Sequence, residues 1–230
     1  VRATAEARPN DCWVALDLSN AFGTMLRDGA LEATAAVVPD CQAFLQMFLL
    51  RDTRYRFVRS TGEALWMTAG EGAEQGDVWG PILYSLAWAP CVAAVEEDLR
   101  GQLRAAGWTE GAVSEAIGVS AYLDDLVIRV PPELVGQVVP AADRALRPMG
   151  GRLNSRKCKA WSPGTPEPAG LPEGFWQTGG LLLLGVPHGE GPSRGEDAPL
   201  PLGAPEVRRH LEKTFSSYCD FLAGLEEAVR

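Results

Sequence analysis

Residues Ala121–Ile128 read Ala-Tyr-Leu-Asp-Asp-Leu-Val-Ile, which places two adjacent carboxylates between two strand-forming runs. Tyr122 before the pair and Leu126–Ile128 after it are residue types enriched in β-strands. Because neighbouring side chains on a strand face opposite ways, Asp124 and Asp125 fit a tight hairpin turn that brings both carboxylates near one point. Like charges so close repel each other, and a hard divalent cation such as Mg²⁺ removes that repulsion. Taken alone, however, the pair is better explained as an acidic β-turn.

Four further segments change that interpretation. Upstream, Trp13–Phe22 reads Trp-Val-Ala-Leu-Asp-Leu-Ser-Asn-Ala-Phe, an apolar strand with Asp17 near its end. Between this strand and the aspartate pair, Gln75–Pro81 reads Gln-Gly-Asp-Val-Trp-Gly-Pro. Downstream, Gly150–Cys158 reads Gly-Gly-Arg-Leu-Asn-Ser-Arg-Lys-Cys, and Gly185 follows a run of four leucines. A third carboxylate is therefore available to join the pair.

Taken in order, these five segments resemble the palm of reverse transcriptases, especially those of non-LTR retrotransposons and group II introns. The signatures of that family run Asp-x-x-x-Ala-Phe/Tyr, Gln-Gly-x-Pro-x-x-Pro, Tyr-x-Asp-Asp, Gly-x-x-x-Asn-x-x-Lys-Cys and Leu-Gly. The match spans residues 11–189, and its strength lies in the ordered set rather than in any one segment. Val78 departs from the pattern, because the family has a proline there whose ring would fix the backbone angle.

Hydrophobic periodicity and turn residues predict the secondary structure. The expected elements are a strand at 12–18, helices at 26–38 and 40–51, a hairpin at 52–69, a helix at 81–99, a polar connector at 100–118 with a short helix at 109–117, the Asp-Asp hairpin, a helix at 133–147, a loop at 162–180, a strand at 181–186 and a C-terminal helix at 206–228. Residues 1–10 are polar and alanine-rich, with Pro9-Asn10 as a turn signal, and no helix or strand is predicted there. The apolar stripe of the helix at 40–51 is expected to pack in the core.

This order, β-α-α-β-β-α-β-β-α-β, predicts an α+β fold in which helices cover one face of an antiparallel sheet. The resemblance implies a polymerase right-hand palm with partial fingers and a truncated thumb helix. Residues 1–203 would form the palm, with about 33–78 resembling the fingers, and residues 204–230 would begin the thumb or form a C-terminal helix. The chain begins with Val, which suggests a fragment of a longer reading frame.

The resemblance also implies a catalytic centre for nucleotidyl transfer with two Mg²⁺ or Mn²⁺ ions. Asp17 and Asp124 would be the principal ligands, Asp125 would assist, and the backbone carbonyl of Leu18 would be a further ligand. Lys157 matches the lysine of the family motif, where a cation neutralises or protonates the leaving pyrophosphate. The alternatives are ordinary ones: Asp17 is also a suitable helix cap, and Lys157 is also a suitable solvated surface residue.

Other residues would contact the substrates. Phe22 stands where the family has an aromatic ring that excludes a 2′-hydroxyl and so selects deoxynucleotides, although core packing is the commoner fate of a phenylalanine. Gln75 and Gly76 would contact the nucleotide and the template. Leu184 and Gly185 match the segment that grips the primer end, where small residues let a backbone approach closely.

Composition sets limits on these hypotheses. The net charge of −9 argues mildly against nucleic-acid binding. Two clusters could nevertheless supply local phosphate tracks or be solvated faces: Arg51, Arg54, Arg56 and Arg59, and then Arg152, Arg156, Lys157 and Lys159. The five cysteines lack a Cys-x-x-Cys pair, which argues against disulfide partners and a zinc site, and for a reducing, intracellular compartment. The uncharged run 78–95 contains Gly80, Pro81 and Pro90, and is predicted to be a buried helix rather than a membrane span.

The leading hypothesis is therefore a fragment of an RNA-directed DNA polymerase from a retroelement, acting on an RNA template, a DNA primer and dNTPs. One alternative is another template-dependent polymerase with the same palm, such as a telomerase-like or RNA-copying enzyme. A second alternative is a decayed palm that binds nucleic acid or protein without catalysis. The net charge, Val78 and the truncation favour decay, whereas the three carboxylates oppose it because folding alone does not require them.

Overall fold

The computed structural model describes residues 2–73, 76–183 and 186–188. Its helices are α1 (Arg2–Ala7), α2 (Ala21–Thr24), α3 (Arg27–Val37), α4 (Gln42–Leu49), α5 (Gly80–Ala105), α6 (Glu110–Ala116) and α7 (Val135–Leu146). Its strands are β1 (Cys12–Leu16), β2 (Thr53–Val58), β3 (Ala64–Ala69), β4 (Gly118–Tyr122), β5 (Asp125–Val130), β6 (Lys159–Trp161), β7 (Leu181–Leu183) and β8 (Val186–His188). Short 3₁₀ turns lie at Pro39–Cys41, Pro132–Leu134 and Arg147–Met149.

The main sheet of the described residues has four antiparallel strands in the order β4-β5-β1-β6. Strands β1 and β5 lie at its centre and pair from Cys12↔Val130 to Leu16↔Leu126. Alternate residues of both strands face the same layer, because the side-chain period of a strand is two. Val14 is fully buried in that layer, as are its neighbours across the sheet. The prediction of a mixed helix-and-sheet fold with antiparallel pairing is confirmed.

Helices α3, α5 and α7 cover this face of the sheet and share one core with it. Helix α5 runs for 26 residues despite Pro90 in its interior, which costs about 3 kcal/mol through the lost backbone hydrogen bond. Its buried leucines and valine offset that cost, since each contributes roughly 1.5–3 kcal/mol: they are Leu83, Val95, Leu99 and Leu103. None of the helices in the described ranges is both long enough and apolar enough to cross a membrane.

The opposite face of the sheet is also covered, which differs from the prediction of helices on one face only. A second apolar cluster there joins α1, the outward face of the central strands, β6 and β7. No helix or strand was predicted for residues 1–10, but Arg2–Ala7 is helical and buries Ala5 in the same apolar cluster as Trp13. Helix formation therefore follows from this tertiary contact, because six residues are too few for a stable isolated helix.

The predicted single strand at 181–186 is wrong. Residues Leu181–Leu183 and Val186–His188 form the two strands of a separate hairpin, and neither joins the main sheet. The fourth position of that sheet is taken instead by Lys159–Trp161, which the prediction left out. Three residues carry too little periodicity to indicate a strand. The predicted helix at 206–228, and with it the thumb assignment, lies outside the described residues.

The remaining predicted elements are confirmed with small changes of boundary. Helix α5 extends to Ala105 rather than ending at 99, and the short helix expected at 109–117 is α6. Strands β2 and β3 form the hairpin expected at 52–69. Core packing does not account for the apolar stripe of α4, because Leu45 and Leu49 are buried whereas Phe44 and Phe48 are exposed.

Candidate active site

The register of the two central strands places Asp17 beside the aspartate pair. Pairing of β1 with β5 ends at Leu16↔Leu126, and one further step along the same register sets Asp17 opposite Asp125. Opposed residues of antiparallel strands have Cα atoms about 4.5–5.5 Å apart. Asp124 precedes Asp125 in the turn between β4 and β5. The register therefore brings the backbones of three carboxylate-bearing residues to one end of the sheet.

The electrostatics of Asp125 reflect this proximity. Partial desolvation of its carboxylate raises the pKa above the ordinary aspartate value, and the charges of Asp124 and then Asp17 raise it further. Each of these influences disfavours the charged form. The arrangement therefore carries an electrostatic cost that a bound cation would remove.

The turn that carries the pair is strained. Tyr122 pairs with Asp125, so only Leu123 and Asp124 connect the two strands. Leu123 has a φ of 53°, which costs roughly 1–2 kcal/mol for a residue with a bulky side chain. A glycine would adopt this conformation without that cost. Such strain is typical of functional sites, where the surrounding structure enforces it.

Asp17 is held by the segment that follows α7. Its backbone carbonyl accepts a 2.8 Å hydrogen bond from the Asn154 N–H, and its side-chain Oδ1 lies 3.6 Å from Lys157 Nζ. That distance is longer than a normal hydrogen bond, and the Lys157 side chain is 68% exposed, so the pair contributes less than about 1 kcal/mol to stability. The segment thus brings the predicted lysine beside the predicted metal ligand.

The other carboxylate oxygen of Asp17 is a candidate ligand atom. Oδ2 is buried and has no hydrogen-bond partner among the described residues. An uncompensated buried carboxylate oxygen is costly, and a hard cation is a suitable partner for it. Asp17 Oδ2 therefore fits a divalent ion as one ligand atom. Among the described residues, no three His, Cys, Asp or Glu side chains form a complete metal-binding group.

A bridge to Leu153 sets the orientation of the Leu18 backbone. Leu18 pairs with Leu153 in an isolated antiparallel bridge, and the ladder hydrogen bonds are made by the residues on either side. In such a non-hydrogen-bonded pair the N–H and C=O groups point away from the partner. The Leu18 carbonyl therefore points toward the edge of β1 on which β5 lies.

Phe22 contacts α5 through its ring. The centroids of Phe22 and Tyr84 are 4.7 Å apart, and those of Tyr84 and Trp88 are 5.2 Å apart. Tyr84 is only 2% exposed, and its hydroxyl has no hydrogen-bond partner among the described residues. Burial, followed by the charge of Asp124, raises the pKa of Tyr84 above its usual range. The stack packs Phe22 against the core, beside a tyrosine whose pKa responds to the charge of Asp124.

Of the remaining residues predicted to contact the substrates, only Gly76 is among the described residues. Gly76 has a φ of 94° and lines a groove of about 550 Å³ together with Arg27, Phe48 and Asp77. Gln75, Leu184 and Gly185 lie outside the described residues, so their roles stay predictions.

Two residues of this region were missed by the sequence analysis. Tyr84 is four residues before Trp88 on α5, a helical spacing that could have indicated a shared face. Arg27 is 7% exposed and donates hydrogen bonds to the backbone carbonyls of Gly72 and Arg51. No local sequence pattern predicts the hydrogen bonds of Arg27, because their acceptors are backbone carbonyls far along the chain.

No protein-family model matches the sequence, and no curated protein matches it. Among solved structures, the chain is similar to the apo telomerase of Candida tropicalis truncated from its C-terminal domain, with a TM-score of 0.48, 10% identity, and coverage of 78% of this chain and 34% of that one. It is also similar to telomerase from Candida albicans in complex with a TWJ fragment of telomeric RNA, with a TM-score of 0.48, 11% identity, and coverage of 82% and 31%. The chain thus spans about a third of the length of these structures.

Proposed function

We propose that this chain is the palm, with part of the fingers, of a reverse transcriptase that copies an RNA template onto a DNA primer from dNTPs. The observation that carries the proposal is the convergence of Asp17 with the Asp124–Asp125 hairpin, beside Lys157. These residues come from three distant segments. A structural role for each one separately does not explain why they share one end of a sheet.

In this proposal the side chains divide the work of nucleotidyl transfer. Asp17 and Asp124 would hold two Mg²⁺ or Mn²⁺ ions, with help from Asp125 and the Leu18 carbonyl. When bound, the ions polarise the reacting phosphate and stabilise the attacking and leaving oxygens. Lys157, whose Nζ lies 3.6 Å from Asp17 Oδ1, would neutralise or protonate the departing pyrophosphate.

Phe22 would act by shape. Its ring rests on Tyr84, so it resists displacement by an incoming sugar. A 2′-hydroxyl would then collide with the ring, whereas a deoxyribose would pass. Selection of dNTPs over rNTPs is the corresponding expectation, and it separates a DNA-making enzyme from an RNA-copying enzyme that makes RNA.

Primer extension tests this proposal. The assay uses a DNA primer on an RNA template, dNTPs, and Mg²⁺ or Mn²⁺, and compares the wild type with Asp17→Asn and Asp124→Asn. Both variants are expected to lose extension, because each replaces a charged ligand by a neutral amide. Asp40→Asn, at an exposed 3₁₀ position remote in sequence from the site, serves as the matched control and should retain activity.

Two outcomes count against the proposal. Folded wild-type protein that extends no primer with either metal would refute an active polymerase, and retained RNA binding would then favour the decayed palm. Extension that survives Asp124→Asn would refute the assigned carboxylates.

A further inference from the structure

The β2–β3 hairpin has two chemically different faces. Its register runs from Thr53↔Ala69 to Val58↔Ala64, so alternate residues of both strands share a face. One face is apolar and carries Tyr55, Phe57, Leu65 and Met67. The other face is cationic and aromatic and carries Arg54, Arg56, Trp66 and Thr68. We call the latter the Arg-Trp face.

The Arg-Trp face is open to solvent. Trp66 is 59% exposed, which is unusual for so large an apolar side chain. Arg54 lies over its ring, with the guanidinium carbon 5.2 Å from the centroid, and Arg56 is its direct cross-strand neighbour. Arg54 and Arg56 are two residues apart on one strand, so their Cα atoms are about 7 Å apart.

The charges on this face are not compensated. No carboxylate of the described residues lies in an ion pair with Arg54 or Arg56, whereas Arg59, at the tip of the hairpin, pairs with Glu63 at 2.9 Å. The whole chain carries a net charge of −9. Among the described residues, Arg54 and Arg56 therefore present two guanidinium groups without a carboxylate partner beside an exposed indole, which favours an anionic partner.

The hairpin is held in place at its base. Arg27 donates one hydrogen bond to the carbonyl of Arg51, just before β2, and another to that of Gly72, just after β3. A two-stranded ribbon is only marginally stable alone, so this clamp fixes the direction of both strands. The Arg-Trp face is thus presented on a preorganised element, which reduces the entropy lost on binding.

We propose that the Arg-Trp face binds single-stranded nucleic acid. A base stacks on Trp66, and the adjacent phosphates interact with Arg54 and Arg56. Single strands are recognised by this combination, since every base has a stackable face and every linkage carries a negative charge. The inference deepens the proposed function, on which it rests, by naming the surface that would hold the unpaired template strand.

The test measures binding separately from catalysis. Fluorescence anisotropy of labelled oligonucleotides of about 12 nucleotides, RNA and DNA in separate arms, is followed with the 230-residue chain in EDTA without dNTPs. Salt is varied from about 50 to 200 mM to obtain the slope of log K against log [salt]. Circular dichroism confirms that every variant is folded.

Each variant has a distinct expected result. Arg54→Ala/Arg56→Ala removes two phosphate contacts and should make the slope less negative by about 1.4. Trp66→Leu should weaken binding about tenfold or more at constant slope, whereas Trp66→Phe should retain most of the affinity, because it keeps an aromatic face. Arg147→Ala, which removes one exposed arginine paired with Asp143, is the control for loss of a surface charge away from the hairpin and should bind as the wild type does.

Several results would overturn the inference. One is a wild type that does not bind at low salt, and another is binding by the double arginine variant and Trp66→Leu that is as tight as that of the wild type. An equal loss of affinity in Arg147→Ala would also overturn it. The two proposals fail separately: Asp124→Asn should bind the oligonucleotide normally even though it cannot extend a primer. Active extension with a strand affinity that does not depend on the hairpin would refute only the Arg-Trp face.

Discussion

Phe22 rests on Tyr84, with ring centroids 4.7 Å apart and an interplanar angle of 32°. This contact joins the segment after Asp17 to α5, and Tyr84 stacks in turn on Trp88. The residue expected to choose the sugar is therefore supported from behind by the core. Its position depends on the ring of Tyr84 rather than on the hydroxyl, which has no partner among the described residues.

Substitutions at Tyr84 test that distinction. Tyr84→Phe keeps both ring contacts and removes a buried, unpaired hydroxyl, so the free energy of unfolding should be unchanged or higher. Tyr84→Leu loses both contacts and should cost about 2 kcal/mol, at roughly 0.5–1.5 kcal/mol for each aromatic pair plus lost packing. Urea denaturation measures both. A large loss in Tyr84→Phe would show that the hydroxyl has a structural role.

Lys157 offers a separation of activity from stability. Lys157→Met removes an exposed ion pair with Asp17, so the free energy of unfolding should change by less than about 1 kcal/mol. Primer extension should slow about a hundredfold if the ammonium group assists the leaving pyrophosphate. Arg156→Met, one residue earlier and also exposed, is the control. Equal rates in the two variants would return Lys157 to the status of a solvated surface lysine.

The raised pKa of Asp125 predicts a pH-dependent stability. Its folded-state pKa lies above the unfolded value, so between the two values the folded protein binds more protons and loses stability as the pH rises. Asp125→Asn removes this titration. In EDTA, the variant should therefore be more stable than the wild type at about pH 7, and the difference should shrink toward about pH 4.

Urea denaturation at both pH values checks this expectation. Glu167→Gln, in the exposed part of the loop at 162–180, controls for the loss of one carboxylate from an acidic chain. A wild type more stable than Asp125→Asn at neutral pH would contradict the assigned repulsion, because it would mean that the charged form is favoured by folding.

Arg27 should matter for stability far more than an exposed arginine. Arg27→Met leaves two backbone carbonyls without their charged donor and should lower the free energy of unfolding by about 2–4 kcal/mol. It should also speed amide exchange in β2 and β3, since the clamp on the hairpin base is lost. Arg147→Met, at an exposed ion pair, should change stability by less than about 1 kcal/mol. Similar losses in both variants would disprove the clamp.

The elements that the sequence predicted best are those with local signals. The Asp124–Asp125 hairpin follows from two strand-forming runs around a polar pair, and α3 and α7 follow from periodicity ended by proline or glycine. By contrast, α1 and Lys159–Trp161 are too short for a period to be visible. The exposure of Phe48 was not predicted, because an apolar stripe indicates that a helix has one apolar face but does not indicate whether other elements cover that face.

The candidate site was predicted as a set of residues but not as a geometry. Ordered motifs indicated Asp17, Asp124 and Lys157, and the register brings the backbone of Asp17 opposite that of Asp125, the neighbour of Asp124. The approach of Lys157 to Asp17 depends on the bridge between Leu18 and Leu153, which no local pattern encodes. Interactions made by backbone atoms, such as the carbonyls that accept hydrogen bonds from Arg27, cannot be predicted from the types of the side chains.

The pairing of β1 with β5 has a consequence for how the protein folds. Leu16 and Leu126 are neighbours in the sheet but lie about 110 residues apart in the chain, so a long loop must close before they meet. Contacts of such high sequence separation slow folding. The three aspartates consequently come together only once β1 and β5 have paired. A nascent or nicked chain could contain every motif and still lack the site, and a shift of the β1–β5 register would dismantle it without altering a single residue.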